Sequence, residues 1–141
     1  MLLANLAVVA TALFTWAATD VSLVEHPAWL RCSNEIALAQ WRPSYQRGTV
    51  MQASLAIAGT LLGISCWLRT AGRVWLVAGI LLGSVVPFTL LVIFPTNKRL
   101  EDPALDATSG AARNLLVRWG RLHAVRTLLS IASLLLMLFV S

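Results

Sequence analysis

The residues best suited to chemistry lie in the segment RWGRLHAVRT, residues 118–127. In a helix, positions four and seven residues apart recur on one side, so Trp119, His123 and Arg126 share a face. An imidazole takes up a proton near neutral pH, and a guanidinium binds oxyanions. This face is therefore a candidate site for proton transfer beside an anion.

The same segment opens an apolar run that reaches Ser141. A bilayer core is spanned by about 20 helical residues, so counting back from Ser141 puts the membrane boundary near Leu122. His123 and Arg126 then lie at the hydrocarbon edge, where ionisable groups are costly unless paired or hydrated. We interpret them as a functional face. The alternative is a snorkelling arginine and an interfacial tryptophan that only anchor the helix.

The composition is that of an integral membrane protein. Of 141 residues, 58% are hydrophobic and 12% charged, and the mean hydropathy is +0.77; about a quarter of a soluble domain is charged. Apolar stretches of spanning length occupy residues 2–24, 49–68, 74–95 and 122–140. We predict an all-α fold in which residues 1–141 form a single four-helix transmembrane bundle.

Charge is distributed unevenly between the two ends of this bundle. Four spans put both termini on one face, together with Arg69 and Arg73. The other face has longer loops near residues 25–48 and 96–121, and it holds nine of the eleven Lys and Arg residues, all six acids and both histidines. Basic residues in short loops favour the cytoplasm. We predict a plasma or inner membrane location with both long loops cytoplasmic and both termini outside.

The net charge of +5 raises the question of nucleic acid as a partner. The basic residues flank spans without forming a dense patch, which favours contact with lipid headgroups and excludes nucleic acid. Cys32 and Cys66 lie toward opposite faces, so neither a disulfide nor a zinc site is expected. The expected partners are the bilayer and a hydrophobic small molecule, and a homo-oligomer stays open.

Further polar residues reach the loop face. Asp20, Glu25 and His26 leave the first span there, and Pro27 is expected to discourage further helix. Gln52 lies one turn inside the second span. An amide in lipid needs partners, so Gln52 is a candidate for ligand binding or for hydrogen bonding between helices.

The third span is predicted to be interrupted, because Pro87 removes a backbone donor in mid-helix. Ser84 and Thr89 are close enough to satisfy or line the break. Asn97 follows Pro95 at the loop face, as a helix cap or as a hydrogen-bonding group in a pocket.

Two further predictions concern helix packing and helix ends. Four small residues give the second span a face for close approach to another helix: Ala53, Ala56, Gly59 and Gly63. Asp106 or Ser109 can start a helix that continues into the fourth span and projects beyond the membrane.

The acids and histidines also admit a metal site as an alternative. His26 and His123, with Asp20 or Glu25, offer ligand types that suit iron or copper, but no local spacing motif accompanies them. Haem would need one of the same histidines as an axial ligand. We expect no cofactor and keep metal or haem as alternatives.

Four segments are distinctive in combination: VSLVEHPAWL (21–30), WRPSY (41–45), PFTLLVIFPTNKRL (87–100) and RWGRLHAVRTLL (118–129). Together they resemble the family of small four-span membrane proteins that includes the anthrone oxygenases. The similarity runs over nearly the whole chain. PTNxxL and RWGxxHxxR are its more specific parts, while HPA and WxPxY are short.

The resemblance implies oxidation of anthrone-type polycyclic phenols to quinones by molecular oxygen, without a required cofactor. The matching positions are Asn97, Trp119, His123 and Arg126, with His26 in the less specific HPA segment.

The implied reaction is chemically reasonable, because removing a benzylic proton from the ring that carries the ketone gives an aromatic phenolate that oxygen can attack directly. A histidine is the expected base, and Arg126 and Asn97 are expected to bind the oxyanion. The residues expected to bind the flat substrate are Trp119, Trp41, Tyr45, Gln52 and Thr89.

A non-enzymatic membrane protein is the competing hypothesis: a lipid-binding protein, an assembly factor or a small transporter subunit. In that case His26, Asn97, His123 and Arg126 form a structural polar network, and Asp20 or Glu25 neutralises Arg126.

Overall fold

The computed structural model describes residues 1–140, and every regular element in that range is helical. Four continuous stretches are long and apolar enough to cross a bilayer: the first span Leu2–Trp29, the second Asn34–Thr70, the third Arg73–Glu101 and the fourth Gly110–Val140. The first and third spans each pack against the second and fourth, which closes a ring. The predicted all-α four-helix transmembrane bundle is confirmed.

The helices extend well beyond the predicted apolar stretches at the loop face. The second span begins at Asn34, where the Ser33 side chain accepts a hydrogen bond from the Ile36 amide. Treating residues 25–48 as a loop was therefore wrong, because polar residues outside the hydrocarbon continue the helix and bury Leu38 and Trp41 in the bundle. The first connection comprises only residues 30–33.

The second connection is also short. The fourth span begins at Gly110, and Ser109 caps it by accepting a hydrogen bond from the Ala112 amide at 3.1 Å. A helix that starts at Ser109 and projects before Leu122 is thus confirmed. Asp106 accepts hydrogen bonds from the Thr108 amide and hydroxyl, which lower the pKa of its carboxyl.

The first and third spans each contain one π-helical turn, at Val21–Glu25 and at Thr89–Ile93. Pro27 and Pro95 follow these turns within two residues. A π turn shifts the backbone hydrogen-bond register, so the helix continues through a residue that has no N–H group. The expectation that Pro27 ends the helix was wrong for this reason.

The predicted break near Pro87 is confirmed. Regular α-helix stops at Gly83 and resumes at Val85–Phe88. The Thr89 hydroxyl donates to the Val85 carbonyl at 2.6 Å, and the Ser84 hydroxyl donates to the Leu81 carbonyl at 2.7 Å. The hydroxyls thereby satisfy carbonyls around the irregular turn.

Small residues bring the second span close to its neighbours, as predicted. A β-carbon at Gly59 would lie 2.5 Å from Cδ2 of Leu82 and 3.0 Å from the Thr11 hydroxyl oxygen. At Gly63 it would lie 3.4 Å from Cα of Gly79. Close backbone approach of this kind is the usual basis of helix association in lipid.

Two arginines tie the helix ends together at the loop face. Nε of Arg42 donates to the Leu100 carbonyl at 3.1 Å, and Nη2 of Arg113 donates to the Leu30 carbonyl at 2.6 Å. These carbonyls lie at helix C-termini, where cationic donors are favourable. These two hydrogen bonds therefore link helices at the end of the bundle that carries the aromatic and ionisable residues.

Candidate active site

A cavity of about 60 Å³ lies between the first, second and fourth spans near the loop face. It is lined by Val21, Trp29, Trp41, Ser44, Tyr45, Gly48, Thr49, Gln52, Trp119, His123 and Arg126. The structure thus brings together six of the predicted site residues: Trp41, Tyr45, Gln52, Trp119, His123 and Arg126. One side of this cavity is aromatic and the other is polar.

The aromatic side is built around Trp119. The centre of its ring lies 4.9 Å from that of His123 and 5.8 Å from that of Trp41, which meets it edge to face. Tyr45 stacks on Trp41: the two ring centres are 4.8 Å apart, and the ring planes are only 5° from parallel. Trp29 lies 6.4 Å from Trp119. Flat, apolar walls of this kind suit a planar aromatic ligand.

His123 is 3% exposed and hydrogen-bonded on one side only. Its Nδ1 lies 3.1 Å from the Ser22 hydroxyl, and that hydroxyl lies 2.8 Å from the Thr127 hydroxyl. Thr127 reaches the Ala18 carbonyl at 3.0 Å. Nε2 of His123 has no hydrogen-bond partner among residues 1–140, so the ring offers one nitrogen to the cavity.

Arg126 is a cation without an acidic partner within the described residues. Its Nη2 donates to Oε1 of Gln52 at 3.0 Å, and its guanidinium lies 5.6 Å from the centre of the Phe14 ring. Nε is buried with no hydrogen-bond partner. Asp20 and Glu25 form no ion pair with Arg126, so the neutralisation required by the structural-network hypothesis is wrong for these two acids.

A second cavity residue also has an unused donor. The indole Nε1 of Trp41 is buried without a hydrogen-bond partner. Leaving such a donor unpaired costs about 1–3 kcal/mol, and buried unpaired donors are rare enough to need an explanation. Because Trp41 and Arg126 line the same cavity, a bound ligand with acceptor oxygens would satisfy both unpaired donors.

His26 lies behind Trp119 and does not line the cavity. Its Nε2 donates to the Leu116 carbonyl at 2.8 Å, and its ring centre lies 5.8 Å from that of Trp119. A β-carbon at Gly120 would overlap this imidazole. The glycine of the RWG segment therefore makes room for His26, which ties the first span to the fourth and supports Trp119.

Two other predicted site residues lie outside this cavity. Asn97 is 1% exposed, and its Oδ1 is buried without a hydrogen-bond partner, but Asn97 does not line the cavity with Arg126. Thr89 lines a second cavity of about 100 Å³ between the second and third spans. Arg126 and Thr49 line both cavities, so Arg126 forms part of the wall between them.

The residues of the metal alternative do not converge. No group of three or more His, Cys, Asp or Glu side chains in residues 1–140 is arranged to hold a metal ion. Glu25 is exposed, and Nε2 of His26 is taken by the Leu116 carbonyl. The polar groups around the cavity are instead one imidazole, one guanidinium, one amide, three indoles and the hydroxyls of Ser44, Tyr45 and Thr49.

Several residues of this site were missed in the sequence, among them Ser22 and Trp29. Ser22 is an ordinary hydroxyl in an apolar helix, and nothing in its neighbours marks it as a partner of His123. Trp29 could have been predicted from the sequence, because it lies one helical turn after His26 and so shares its helix face. Tryptophans at helix ends are usually interfacial anchors, so the residue type alone did not single it out.

Comparison with known proteins identifies the family of this chain. A sequence model of the family described as anthrone oxygenase matches residues 41–136, which include the cavity residues Gln52, His123 and Arg126. No solved structure matches the chain.

Individual relatives cover most of the chain. The chain is 38% identical to anthrone oxygenase tpcL of Aspergillus fumigatus over 119 residues, covering 77% of this chain and 73% of that protein. It is 32% identical to anthrone oxygenase AgnL2 of Paecilomyces divaricatus over 143 residues, covering 87% and 85%. It is also 32% identical to an anthrone oxygenase of Claviceps purpurea over 127 residues, covering 80% and 73%. The chain therefore belongs to the anthrone oxygenase family.

Proposed function

We propose that this protein is a membrane oxygenase that converts an anthrone-type tricyclic phenol to the corresponding quinone, with His123 as the base. One observation supports this beyond family membership. The cavity places an imidazole nitrogen without a partner beside a guanidinium without a counterion. A base and an anion site are the two groups that the reaction requires.

The reaction begins with the CH₂ group opposite the anthrone carbonyl. Nε2 of His123 removes one proton, and the resulting carbanion is a phenolate whose charge resides on the former carbonyl oxygen. One-electron transfer to O₂ and radical recombination form a C–O bond and, after protonation, a hydroperoxide. Loss of the second C–H proton breaks the O–O bond and leaves a ketone. The balance is CH₂ + O₂ → C=O + H₂O, with oxygen as the only oxidant.

Arg126 is proposed to bind the phenolate oxygen. Its unpartnered Nε–H and the charge of the guanidinium favour an anion over a neutral ketone, so the interaction strengthens as the proton leaves. Arginine can only donate, so Gln52 presents its carbonyl oxygen to Nη2. The Gln52 amide nitrogen is then free to donate in the cavity, as is the Trp41 indole.

The substrate is proposed to replace Tyr45 on the face of Trp41. Small-molecule sites usually measure about 300–1,000 Å³, so the cavity of about 60 Å³ must widen to accept three fused rings. Tyr45 is half-buried and stacked parallel on Trp41, in the geometry a flat substrate would adopt. The cavity between the second and third spans, which Arg126 also lines, is proposed as the route from the bilayer.

We propose that no metal or haem takes part. An electron-rich phenolate can transfer an electron to O₂ without a cofactor, and the residues at the cavity are suited to binding an anion and not a cation. Elemental analysis of the purified protein, together with activity after chelation, tests this independently of the residue assignments.

The reaction is tested by isotope labelling. Protein in lipid nanodiscs is supplied with an anthrone under ¹⁸O₂, and we expect one ¹⁸O atom in each quinone, at the oxidised carbon, and one in water. Mass spectrometry at early times measures the label before the carbonyl exchanges with solvent. Nanodiscs that lack the protein measure spontaneous oxidation. Quinone formation no faster than in these empty nanodiscs would remove the proposed reaction.

The loop face is proposed to lie in the cytoplasm, because most basic residues cluster there. Cys32 is exposed in the connection between the first two spans, whereas Cys66 is buried. A membrane-impermeant maleimide should therefore label Cys32 in inside-out vesicles and not in intact cells. A Cys32→Ser, Ala71→Cys variant reports the opposite face and should show the reverse pattern. Labelling of Cys32 in intact cells would place the loops outside.

A further inference from the structure

We propose that Ser22 and Thr127 are positioning residues that hold the His123 proton on Nδ1 and leave Nε2 as the basic nitrogen at the cavity. The inference rests on the proposed function for its catalytic consequence, but the tautomer itself is a property of the resting protein. It assigns a role to two hydroxyls outside the substrate-contacting set.

The directions of the hydrogen bonds that link Thr127, Ser22 and His123 follow from the contacts of Thr127. The Thr127 oxygen lies 3.0 Å from the Ala18 carbonyl and 3.4 Å from the His123 carbonyl. Carbonyl oxygens only accept, so the single Thr127 hydroxyl proton is directed to a carbonyl. The Thr127 oxygen then accepts from the Ser22 hydroxyl at 2.8 Å.

The remaining contact fixes the imidazole. Because the Ser22 proton is directed to Thr127, the Ser22 oxygen faces His123 with lone pairs only. Nδ1 must therefore donate across the 3.1 Å contact. A neutral imidazole carries one N–H, so Nε2 is left with its lone pair. If the directions were reversed, no hydrogen would lie between the Thr127 oxygen and either carbonyl. The imidazole proton would then be on Nε2 of His123, which has no acceptor within hydrogen-bond distance in residues 1–140.

Local structure explains why these residues meet. Ser22 lies in the π turn Val21–Glu25 of the first span, next to the fourth span. Thr127 follows His123 by one helical turn, so both side chains lie on one face of the fourth span. Thr127 is 6% exposed and Ser22 is half-buried. Water therefore competes weakly for these hydroxyls.

His26 provides an internal contrast. Its Nε2 lies 2.8 Å from the Leu116 carbonyl, which can only accept. Neutral His26 must therefore carry its proton on Nε2. The protein has two histidines, and we infer that they hold opposite tautomers: Nδ1–H in His123 and Nε2–H in His26.

The test is nuclear magnetic resonance of protein with ¹⁵N-labelled histidine in nanodiscs. Couplings between each ring nitrogen and the ring C–H protons identify the tautomer, and His123→Gln assigns the two spin systems. We expect Nδ1–H for His123 and a shift toward Nε2–H or a mixture in Ser22→Ala. Protonation of wild-type His123 on Nε2, or an unchanged Nδ1–H population in Ser22→Ala, would overturn the proposal.

Kinetics provide the second readout. Ser22→Ala and Thr127→Val should lower kcat by about ten- to a hundredfold, as is typical when the hydrogen-bond partner of a metal-bound histidine is removed, with little change in KM. Ser22→Thr keeps the hydroxyl and should restore most of the rate. Ser54→Ala is the matched control, because the exposed Ser54 hydroxyl only bonds to its own helix at the Val50 carbonyl. An equal kcat in wild type and in correctly folded Ser22→Ala counts against positioning.

The two hypotheses fail separately. If wild-type protein oxidises no anthrone, the proposed reaction is wrong, yet the tautomers can still be measured. If it oxidises anthrone but His123 carries its proton on Nε2, the positioning role is wrong and the oxygenase stands.

Discussion

Replacing His123 by glutamine is expected to lower the rate of the proposed anthrone oxidation by about 10²–10⁴-fold, the usual contribution of a positioned general base. Glutamine has similar length and can still hydrogen-bond to Ser22, so the helix packing around Trp119 is largely kept. Its amide cannot accept a proton near neutral pH. The loss should appear in kcat, measured as oxygen uptake above the spontaneous rate.

His26→Gln is the matched comparison, because His26 is buried at the same end of the bundle but does not line the cavity. Its Nε2 is engaged by the Leu116 carbonyl. We expect this variant to lose thermal stability, since it leaves a weaker link between the first and fourth spans, and to lose less rate than His123→Gln. A folded His26→Gln protein that is as inactive as His123→Gln would show that the base is assigned to the wrong histidine.

The helix face that carries the candidate site was predictable, because residues at helical spacing also lie on one face of the folded helix. Trp119, His123 and Arg126 recur at helical intervals, and in the structure all three line one cavity. Gln52 was visible for a different reason: a primary amide in an apolar helix needs a partner, and the partner proved to be Arg126. Side chains that are unusual for their surroundings carry most of the information in a membrane sequence.

The failures have equally physical causes. Hydropathy marks where lipid begins, but it does not mark where a helix ends, so residues 34–48 were assigned to a loop. The π turns have no distinct residue signature, yet the turn at Val21–Glu25 sets the register of Ser22 and His26. Asn97 shares the loop end with Arg126 but does not line the cavity of His123 and Arg126, because a common membrane depth does not specify a common direction.

Removing the guanidinium should have the second large effect. Arg126→Gln is expected to lower kcat/KM by about 10²–10³-fold, the range for losing one strong donor to a developing oxyanion. Arg126→Lys keeps the charge but not the planar set of donors, so its loss should be smaller. Arg121→Gln is the control, because Arg121 is exposed on the same helix and lines no described cavity.

Gln52→Glu is the sharper test of what Arg126 does, because it alters charge with little change in shape. A carboxylate at this position would form the ion pair that the described structure lacks, since Nη2 of Arg126 already lies 3.0 Å from Oε1 of Gln52. If Arg126 belongs to a structural network, the variant should be as stable as wild type or more so, with function intact. If Arg126 binds the substrate anion, the new carboxylate occupies the guanidinium and repels the phenolate. Thermal stability should then be retained while oxygenase activity falls as far as in Arg126→Gln, and full activity in Gln52→Glu would refute an anion site at Arg126.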